Sequence, residues 1–151
     1  MASITRHLPT EQDIAYLAEN MRQSDIEELS AVTDQSLVCA VRSSVLNSHP
    51  DYLWAYCVDG DLVLIYGCTR SGSPWMLGTE ALNQNLKELT VRTRVVVRDM
   101  LKQFPVLSNI IDVRQKKTIR WLKTIGFSFK ETFEIKLGVP VIRFEMRVTN
   151  E

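Results

Sequence analysis

The stretch VLSNIIDVRQKKTIRWLKTIGF, Val106–Phe127, decides the fold because a strand, a polar connection and a helix follow one another within it. Its first part, Val106–Val113, is a β-branched run that is too short for a helix and too apolar for an edge strand. Pro105 stands just before this run and ends the preceding helix, because proline cannot continue the helical hydrogen-bond ladder. The sequence therefore predicts a buried strand here.

The second part of the stretch has the period of a helix. From Lys116 onward the apolar residues cluster on one helical face and the cations lie mostly on the other. The apolar face is formed by Ile119, Trp121, Leu122 and Ile125. Gly126 stands where a helix needs a left-handed residue to stop. We therefore expect an amphipathic helix that begins at Lys116 and ends at Gly126.

These residues resemble the second half of the GNAT fold, the fold of acyl-CoA N-acyltransferases. Its usual pattern here is roughly Asn-x-x-Ala-x-x-x-Tyr-x-x-x-Gly-Phe. Gly126 and Phe127 match that pattern, whereas Gln115, Thr118 and Leu122 stand at the Asn, Ala and Tyr positions.

A closer resemblance covers most of the chain. The sequences SPWMLGT, Ser73–Thr79, and IRWLKTIG, Ile119–Gly126, are similar to a GNAT-like family of short-tailed phages and prophages, the internal virion protein A family. This resemblance implies a GNAT-like protein with a structural or assembly role, but it implies no particular chemistry.

The GNAT resemblance also implies where a cofactor would bind. In acyltransferases of this fold the fourth strand bulges and splays from the fifth, which leaves backbone groups for the pantetheine arm; here these would belong to Met76, Leu77, Gly78 and Thr79. The next loop normally carries Arg/Gln-x-x-Gly-x-Gly/Ala, whose backbone N–H groups bind the pyrophosphate.

This chain departs from that phosphate-binding pattern. It has no glycine between Gly78 and Gly126, and the loop offers instead the polar side chains of Asn83 and Asn85 and one cation, Lys87. Together with Gln115, these residues complete the candidate cofactor site. Because the phosphate cradle is incomplete, we expect acetyl-CoA to bind weakly if it binds.

The candidate catalytic residue is Glu80, which follows the fourth strand and could act as a general base. Its structural alternative is a carboxylate that stabilises the start of a helix. Leu122, at the usual tyrosine position, has no proton to give to a departing thiolate. His49 could be a catalytic base, but it is interpreted as a loop histidine beside Pro50, since nothing nearby supplies an orienting carboxylate, and His7 is no better placed as a base. We predict no metal site, because the three cysteines lack CxxC spacing and are typical of buried small side chains.

The remaining chain adds further elements. A strand is expected at Ile4–Leu8, followed by helices with an N-cap at Thr10, with a Ser24/Glu27 capping box before Asp25–Val32, and at Val38–Leu46. Asp59-Gly60 is a two-residue hairpin signal between Tyr52–Val58 and Leu62–Thr69. Later elements are a strand at Trp75–Thr79, a helix at Asn85–Gln103 and two strands after Phe127.

The predicted order β-αα-βββ-α-β-α-ββ is that of an α/β protein with a mixed sheet, the GNAT-like order, in one domain spanning residues 1–151. In the last hairpin we expect Phe127, Phe129, Phe133, Ile135 and Leu137 to share one face, and Arg143, Glu145 and Arg147 to point outward. We also expect Leu62–Thr69 to be central, Met76–Thr79 beside it, and Val106–Val113 parallel to that strand.

Charge divides the chain, although its formal net charge is zero. Residues 1–90 hold 5 Lys/Arg and 12 Asp/Glu, and residues 91–151 hold 13 and 6, so the halves carry −7 and +7. The halves either attract each other or decorate solvated faces, or the basic half binds the phosphates of coenzyme A or a nucleic acid. No apolar run approaches the ~18 residues of a spanning helix, so we expect a protein of the host cytoplasm or the virion.

Three functions remain open from the sequence. The first is a phage structural, assembly or host-interaction protein that keeps the GNAT shell without efficient catalysis and binds a phage or host protein. The second is an active acetyl-CoA-dependent N-acetyltransferase acting on a protein or small amine. The third is nucleic-acid binding, which is disfavoured because exposed aromatic residues do not alternate with the cations.

Overall fold

The computed structural model describes residues 2–136 and 138–148. The chain forms two compact units. The first unit contains the chain up to Arg70 together with Pro74–Leu86, and the second contains Ser71–Ser73 and the chain from Lys87 onward. No helix in residues 2–136 and 138–148 combines the length and the apolar character needed to cross a bilayer.

The first unit is a four-stranded antiparallel sheet with helices. Its elements are β1 (Ile4–His7), α1 (Glu11–Asn20), α2 (Gln23–Val32), α3 (Leu37–Leu46), a 3-10 turn (Pro50–Tyr52), β2 (Trp54–Val58), β3 (Asp61–Cys68), β4 (Pro74–Gly78) and α4 (Ala81–Gln84). The strand order is β1-β2-β3-β4. The prediction that Leu62–Thr69 is central, with the Met76 strand beside it, is therefore confirmed.

Local sequence signals explain several turns and helix ends of this unit. Asp59 and Gly60 both have positive φ, 52° and 85°, as the predicted hairpin turn requires. Thr10 caps α1 in a reciprocal box with Asp13. The capping box predicted for Ser24 and Glu27 is wrong, because α2 begins at Gln23 after an extended Arg22. A backbone bridge between Met21 and Thr79 keeps the chain extended up to that point.

The core of the first unit lies between one face of the sheet and the helices. It is formed by Ile14, Leu17, Met21, Val41, Leu53, Ala55, Cys57, Leu62, Ile65 and Leu77. Cys57 and Cys68 are buried as predicted, and burial raises the pKa of the Cys68 thiol to about 12. The prediction for Cys39 is wrong, because Cys39 lies on the exposed side of α3.

The second unit is a three-stranded antiparallel sheet with two helices. Its elements are α5 (Leu86–Gln103), β5 (Val106–Asp112), α6 (Lys116–Ile125), β6 (Ser128–Lys136) and β7 (Val139–Arg147), and the strand order is β5-β7-β6. We expected β5 to lie parallel beside β4, but in residues 2–136 and 138–148 the ladder that β5 forms is an antiparallel one with β7, and a β4–β5 ladder is not present. The α/β class and the element order are confirmed, with the strands divided between two antiparallel sheets.

The strand and the helix predicted in Val106–Phe127 both form, but β5, expected to be buried and not an edge strand, is an edge of the sheet in this unit, with four of its seven residues only partly buried. α6 ends at Gly126, whose φ of 124° is unfavourable for residues with a Cβ atom. Leu122 and Ile125 are buried, and the indole Nε1–H of Trp121 donates to Thr90 Oγ1 at 2.9 Å. This indole joins α6 to α5.

The last hairpin differs from the prediction. A register shift between Phe129 and Thr132 separates Phe129, opposite Phe144, from Phe133, opposite Val141, so the two phenylalanines do not share a face. Phe133 is consequently 41% exposed. Glu145, expected to point outward into water, is buried. Leu137 lies outside the described residues.

Candidate functional site

The candidate site is built on β4, an edge strand of the sheet in the first unit. Five successive residues of β4, from Pro74 to Gly78, pair with Cys68 to Leu64 in unbroken register. The bulge that the resemblance implied for the fourth strand is therefore absent from this ladder. The register shift described in this sheet lies instead between Tyr56 and Cys57 of β2.

Backbone alternation decides which groups of β4 face away from β3. The N–H of Thr79 donates to the carbonyl of Val63 at 2.9 Å, so Thr79 faces β3. Because strand residues alternate in direction, Gly78 and Met76 present their N–H and C=O groups on the outer edge. This outer edge is where an extended ligand arm could pair with β4.

The unit's own residues occupy that edge at Gly78. The Gly78 N–H donates to Asp25 Oδ2 at 2.7 Å, and the Gly78 carbonyl accepts from the backbone N–H of Arg22 at 2.9 Å. Both backbone groups of Gly78 are thus paired with residues at the start of α2. An incoming ligand would have to replace both bonds.

A buried ion pair holds this clamp in place. Arg22 Nε donates to Asp25 Oδ2 at 2.7 Å, and Arg22 Nη2 donates to Asp25 Oδ1 at 3.2 Å. The two side chains are only 11% and 10% exposed. Because each charge lies away from water, each depends on the other for its stabilisation.

The glycine at position 78 is explained by close packing. A Cβ atom at Gly78 would lie 2.3 Å from Leu82 Cδ1 and 3.1 Å from Leu82 Cβ. Leu82 itself is fully buried. The absence of a side chain at Gly78 therefore lets the first turn after β4 pack directly onto the strand.

The loop after β4 folds into the short helix α4 and uses its own N–H groups. Leu82, Asn83 and Asn85 donate their backbone N–H groups to the carbonyls of Thr79, Glu80 and Leu82, respectively. The Thr79 hydroxyl hydrogen-bonds to the Leu62 and Val63 carbonyls. These groups are paired within the unit, so a pyrophosphate could bind them only by breaking those hydrogen bonds.

The polar side chains of the loop also have partners. Asn83 accepts from Arg22 Nη1 at 3.2 Å and donates to Glu80 Oε2 at 3.2 Å. Asn85 donates to the Ala81 carbonyl at 2.8 Å. Glu80 is exposed and precedes α4, which fits a helix-start carboxylate as well as a general base.

The remaining candidate residues lie in the second unit. Lys87 is exposed in the first turn of α5, and Gln115 precedes α6 and donates its N–H to the Asp112 carbonyl. Beside it, hydrogen bonds from the Arg114 guanidinium hold the pKa of the buried Asp112 below its usual value. Met76, Leu77, Gly78, Thr79, Glu80, Asn83 and Asn85 follow one another in the first unit. Their role in cofactor binding, like that of Lys87 and Gln115, stays a prediction.

The sequence did not reveal Arg22 and Asp25 as part of this site. Asp25 stands in the first turn of α2, where an acidic residue is ordinary. Nothing in its spacing links it to Gly78, 53 positions further along the chain. The available signal was the glycine itself, because a glycine at a strand end indicates close approach by another group.

Comparisons with known proteins find the same architecture among solved structures. No family model matches the chain, and no curated protein matches its sequence. Among solved structures, aminoglycoside acetyltransferase AAC(6')-Ib in complex with coenzyme A is 18% identical, with a TM-score of 0.65, over 96% of this chain and 95% of that one. yncA from Salmonella typhimurium, with its cofactor acetyl-CoA, is 14% identical, with a TM-score of 0.66, over 98% and 95%.

A third structure carries the family name. A protein of the GNAT family from Desulfovibrio desulfuricans is 16% identical, with a TM-score of 0.63, and the match spans 99% of this chain and all of that one. The chain has a GNAT fold. At these identities the likeness concerns the fold alone, because one fold hosts many functions.

Proposed function

We propose that this chain is a phage-encoded GNAT-fold protein whose acyl-CoA site is degenerate and which works by binding a protein of the phage or the host. Its role would be structural, in assembly or in host interaction, in the host cytoplasm or the virion. One observation carries the proposal. Arg22 and Asp25 hold both backbone groups of Gly78, on the strand edge that the GNAT resemblance assigns to the pantetheine arm.

Energetics favours the closed edge. A ligand that pairs with this edge has to displace Arg22 and Asp25 from Gly78, and leaving such a buried polar group unpaired costs about 1–3 kcal/mol. Because every 1.4 kcal/mol is a factor of ten, this cost would weaken an ordinary micromolar affinity by about five- to 150-fold for each group left unpaired. The hydrogen-bonded loop after β4 removes a further source of affinity, the phosphate cradle.

Leu122 supports the same proposal, because it cannot act as the catalytic acid of acetyl transfer. In the GNAT resemblance this position holds a tyrosine that can protonate the departing coenzyme A thiolate. Leu122 is a buried core residue of the second unit and has no proton to donate. Positioned proton transfer is worth about 10²–10⁴-fold in rate. Its loss predicts little acetyl transfer even where cofactor binds.

The second candidate is an acetyl-CoA-dependent N-acetyltransferase acting on a protein or small amine. Met76 favours it, because its outward backbone groups have no partner in residues 2–136 and 138–148. Exposed Glu80 would act as its general base. The likeness to AAC(6')-Ib with coenzyme A and to yncA with acetyl-CoA also agrees with this candidate.

A panel of acceptor amines and lysine peptides with acetyl-CoA separates the two candidates. We expect wild type, Leu122→Tyr and Glu80→Ala all to release coenzyme A at the uncatalysed rate. Glu27→Ala, a change at another exposed glutamate, is the matched control. Robust wild-type turnover that Glu80→Ala abolishes and Glu27→Ala preserves would overturn the non-catalytic proposal and establish the enzyme.

A further inference from the structure

A second polar cluster of the first unit lies away from the end of β4. The sheet face opposite its helix-packed core carries Arg6 on β1, Trp54 on β2 and Tyr66 on β3. Trp54 and Tyr66 are direct cross-strand neighbours. The Arg6 guanidinium carbon lies 4.2 Å from the centroid of the Trp54 ring, and Arg6 Nη1 donates to the Tyr66 hydroxyl at 3.0 Å.

This arrangement fixes the orientation of the guanidinium. Arg6 lies across β2 and is held at two points, by the indole face below it and by the Tyr66 hydroxyl at one edge. Stacking on an indole leaves the in-plane N–H groups of arginine free to bind other groups. An exposed arginine normally samples many rotamers, so holding it in place lowers the entropy cost of binding a ligand there.

Arg6 also has no ionic partner. No carboxylate of the described residues 2–136 and 138–148 lies within ion-pair distance of it, although it is exposed. The contrast with Arg22 and Arg42 is clear, because Arg22 pairs with Asp25 and Arg42 with Glu11. Arg6 thus keeps Nε and Nη2 available in a fixed plane.

The net charge of the first unit limits which kind of anion could bind to Arg6. The first unit contains 4 Lys/Arg and 11 Asp/Glu, a net charge of −7. Such a field repels polyanions such as nucleic acid or a nucleotide, whereas it tolerates a single carboxylate on a neutral or cationic molecule. A planar carboxylate matches the free edge of the guanidinium in a two-bond geometry.

We propose that Arg6, Trp54 and Tyr66 form a binding site for a carboxylate carried by a basic or neutral peptide. The carboxylate accepts from Nε and Nη2 of Arg6, and the carbon atoms next to it rest against the edge of the Trp54 ring. These three residues are not among those assigned to acyl-CoA, although Tyr66 pairs with Met76 across β3 and β4, and the site does not depend on the function proposed for them.

The indole N–H signals of the three tryptophans in a ¹⁵N-correlation spectrum provide the test. Trp75 Nε1–H donates to Ser48 and Trp121 Nε1–H to Thr90, so these two signals serve as internal references. The Trp54 signal is assigned with Trp54→Phe. The probe is the peptide acetyl-Lys-Lys-Leu with a free C-terminal carboxylate, and its C-terminal amide is the matched control.

We expect the free-acid peptide to shift the Trp54 signal with a dissociation constant of about 1 mM, in the range of weak binding, and the amide to leave it unchanged. Arg6→Gln should raise that constant at least tenfold. Arg6→Lys should raise it less, because a lysine keeps the charge but lacks the planar fork. Arg42→Gln, at a paired surface arginine of the same unit, should not change it.

Four outcomes would overturn the proposal. These are an equal response to the amide, a response that persists in well-folded Arg6→Gln and Arg6→Lys, a stronger response to inorganic phosphate than to the peptide, and no response at about 10 mM peptide, ten times the expected constant.

Discussion

Two buried carboxylates, Asp25 in the first unit and Glu145 in the second, are stabilised in different ways. Asp25 accepts from one backbone N–H and from one arginine that is itself buried. Glu145 accepts from Arg143 at 2.8 Å and from Arg147 at 3.1 Å, and Lys130 lies 3.5 Å away. The side chains of these three cations are 31%, 63% and 39% exposed.

Asp25 binds a backbone N–H group of a strand edge, whereas Glu145 binds the side chains of partly exposed cations. Removing Asp25 leaves the buried Gly78 N–H without a partner and leaves the Arg22 guanidinium, whose side chain is 11% exposed, with its bond to Asn83 and without a counter-charge. Removing Glu145 leaves three cationic side chains that have more access to water. The first arrangement therefore closes a strand edge, whereas the second ties together the charged face of a sheet.

The largest expected effect is that of Asp25→Ala. Breaking one partner of a buried pair should lower the free energy of unfolding by about 3–5 kcal/mol. Urea denaturation measures this loss, and Glu27→Ala on the same helix is the control, with an expected change within about 0.5 kcal/mol. Glu145→Ala should cost less than half as much as Asp25→Ala; an equal or larger loss would remove the distinction between the two carboxylates.

We expect a smaller effect from Gly78→Ala, which tests whether close packing against Leu82 explains the glycine at the closed edge. The new Cβ would clash with Leu82, so we expect a loss of about 1–3 kcal/mol from overpacking. In the double variant Gly78→Ala/Leu82→Ala the clash with Leu82 Cδ1 is removed and only the close approach to the Cβ atom remains, so its loss should be smaller than the sum of the two single losses. Simple additivity in urea denaturation would show that contact with Leu82 is not the reason for the glycine.

The smallest effect concerns the pH dependence of the Glu145 cluster. Hydrogen bonds from Arg147 and Arg143 lower the pKa of Glu145 from 4.5 to about 2. A depressed pKa in the folded state contributes stability above the unfolded value, and that contribution is lost as the pH falls from 4.5 towards 2. The urea midpoint of wild type should therefore fall more steeply over this window than that of Glu145→Gln. Parallel curves would contradict the assignment.

The sequence predicted the elements of this fold better than their partners. Local signals sufficed where chemistry is local: Asp59-Gly60 for the hairpin, Thr10 with Asp13 for the cap of α1, and Gly126 for the end of α6. The pairing of β5 with β7 joins strands that are separated by α6 and β6, and the register shift after Phe129 depends on how β6 aligns with β7 across the hairpin. Periodicity contains no information about them.

For the candidate site, too, the sequence predicted local features but not tertiary contacts. The missing glycines after Gly78 and the leucine at position 122 could be seen in the sequence and predicted a weak cofactor site. The reason why Gly78 is closed could not, because the Asp25 carboxylate reaches it from α2 across a tertiary contact. A bond between residues 53 positions apart leaves no pattern in a single sequence.

Calorimetric titration of the protein with acetyl-CoA tests the central claim most directly, namely that the strand edge and the loop after β4 no longer form a working cofactor site. We predict a dissociation constant in the high micromolar range or weaker, on the order of −5 kcal/mol, with Lys87→Glu weakening whatever binding remains. A dissociation constant of about 1 μM for wild type would contradict the account, because the closed Gly78 edge and the incomplete phosphate cradle should together lower the affinity well below that value.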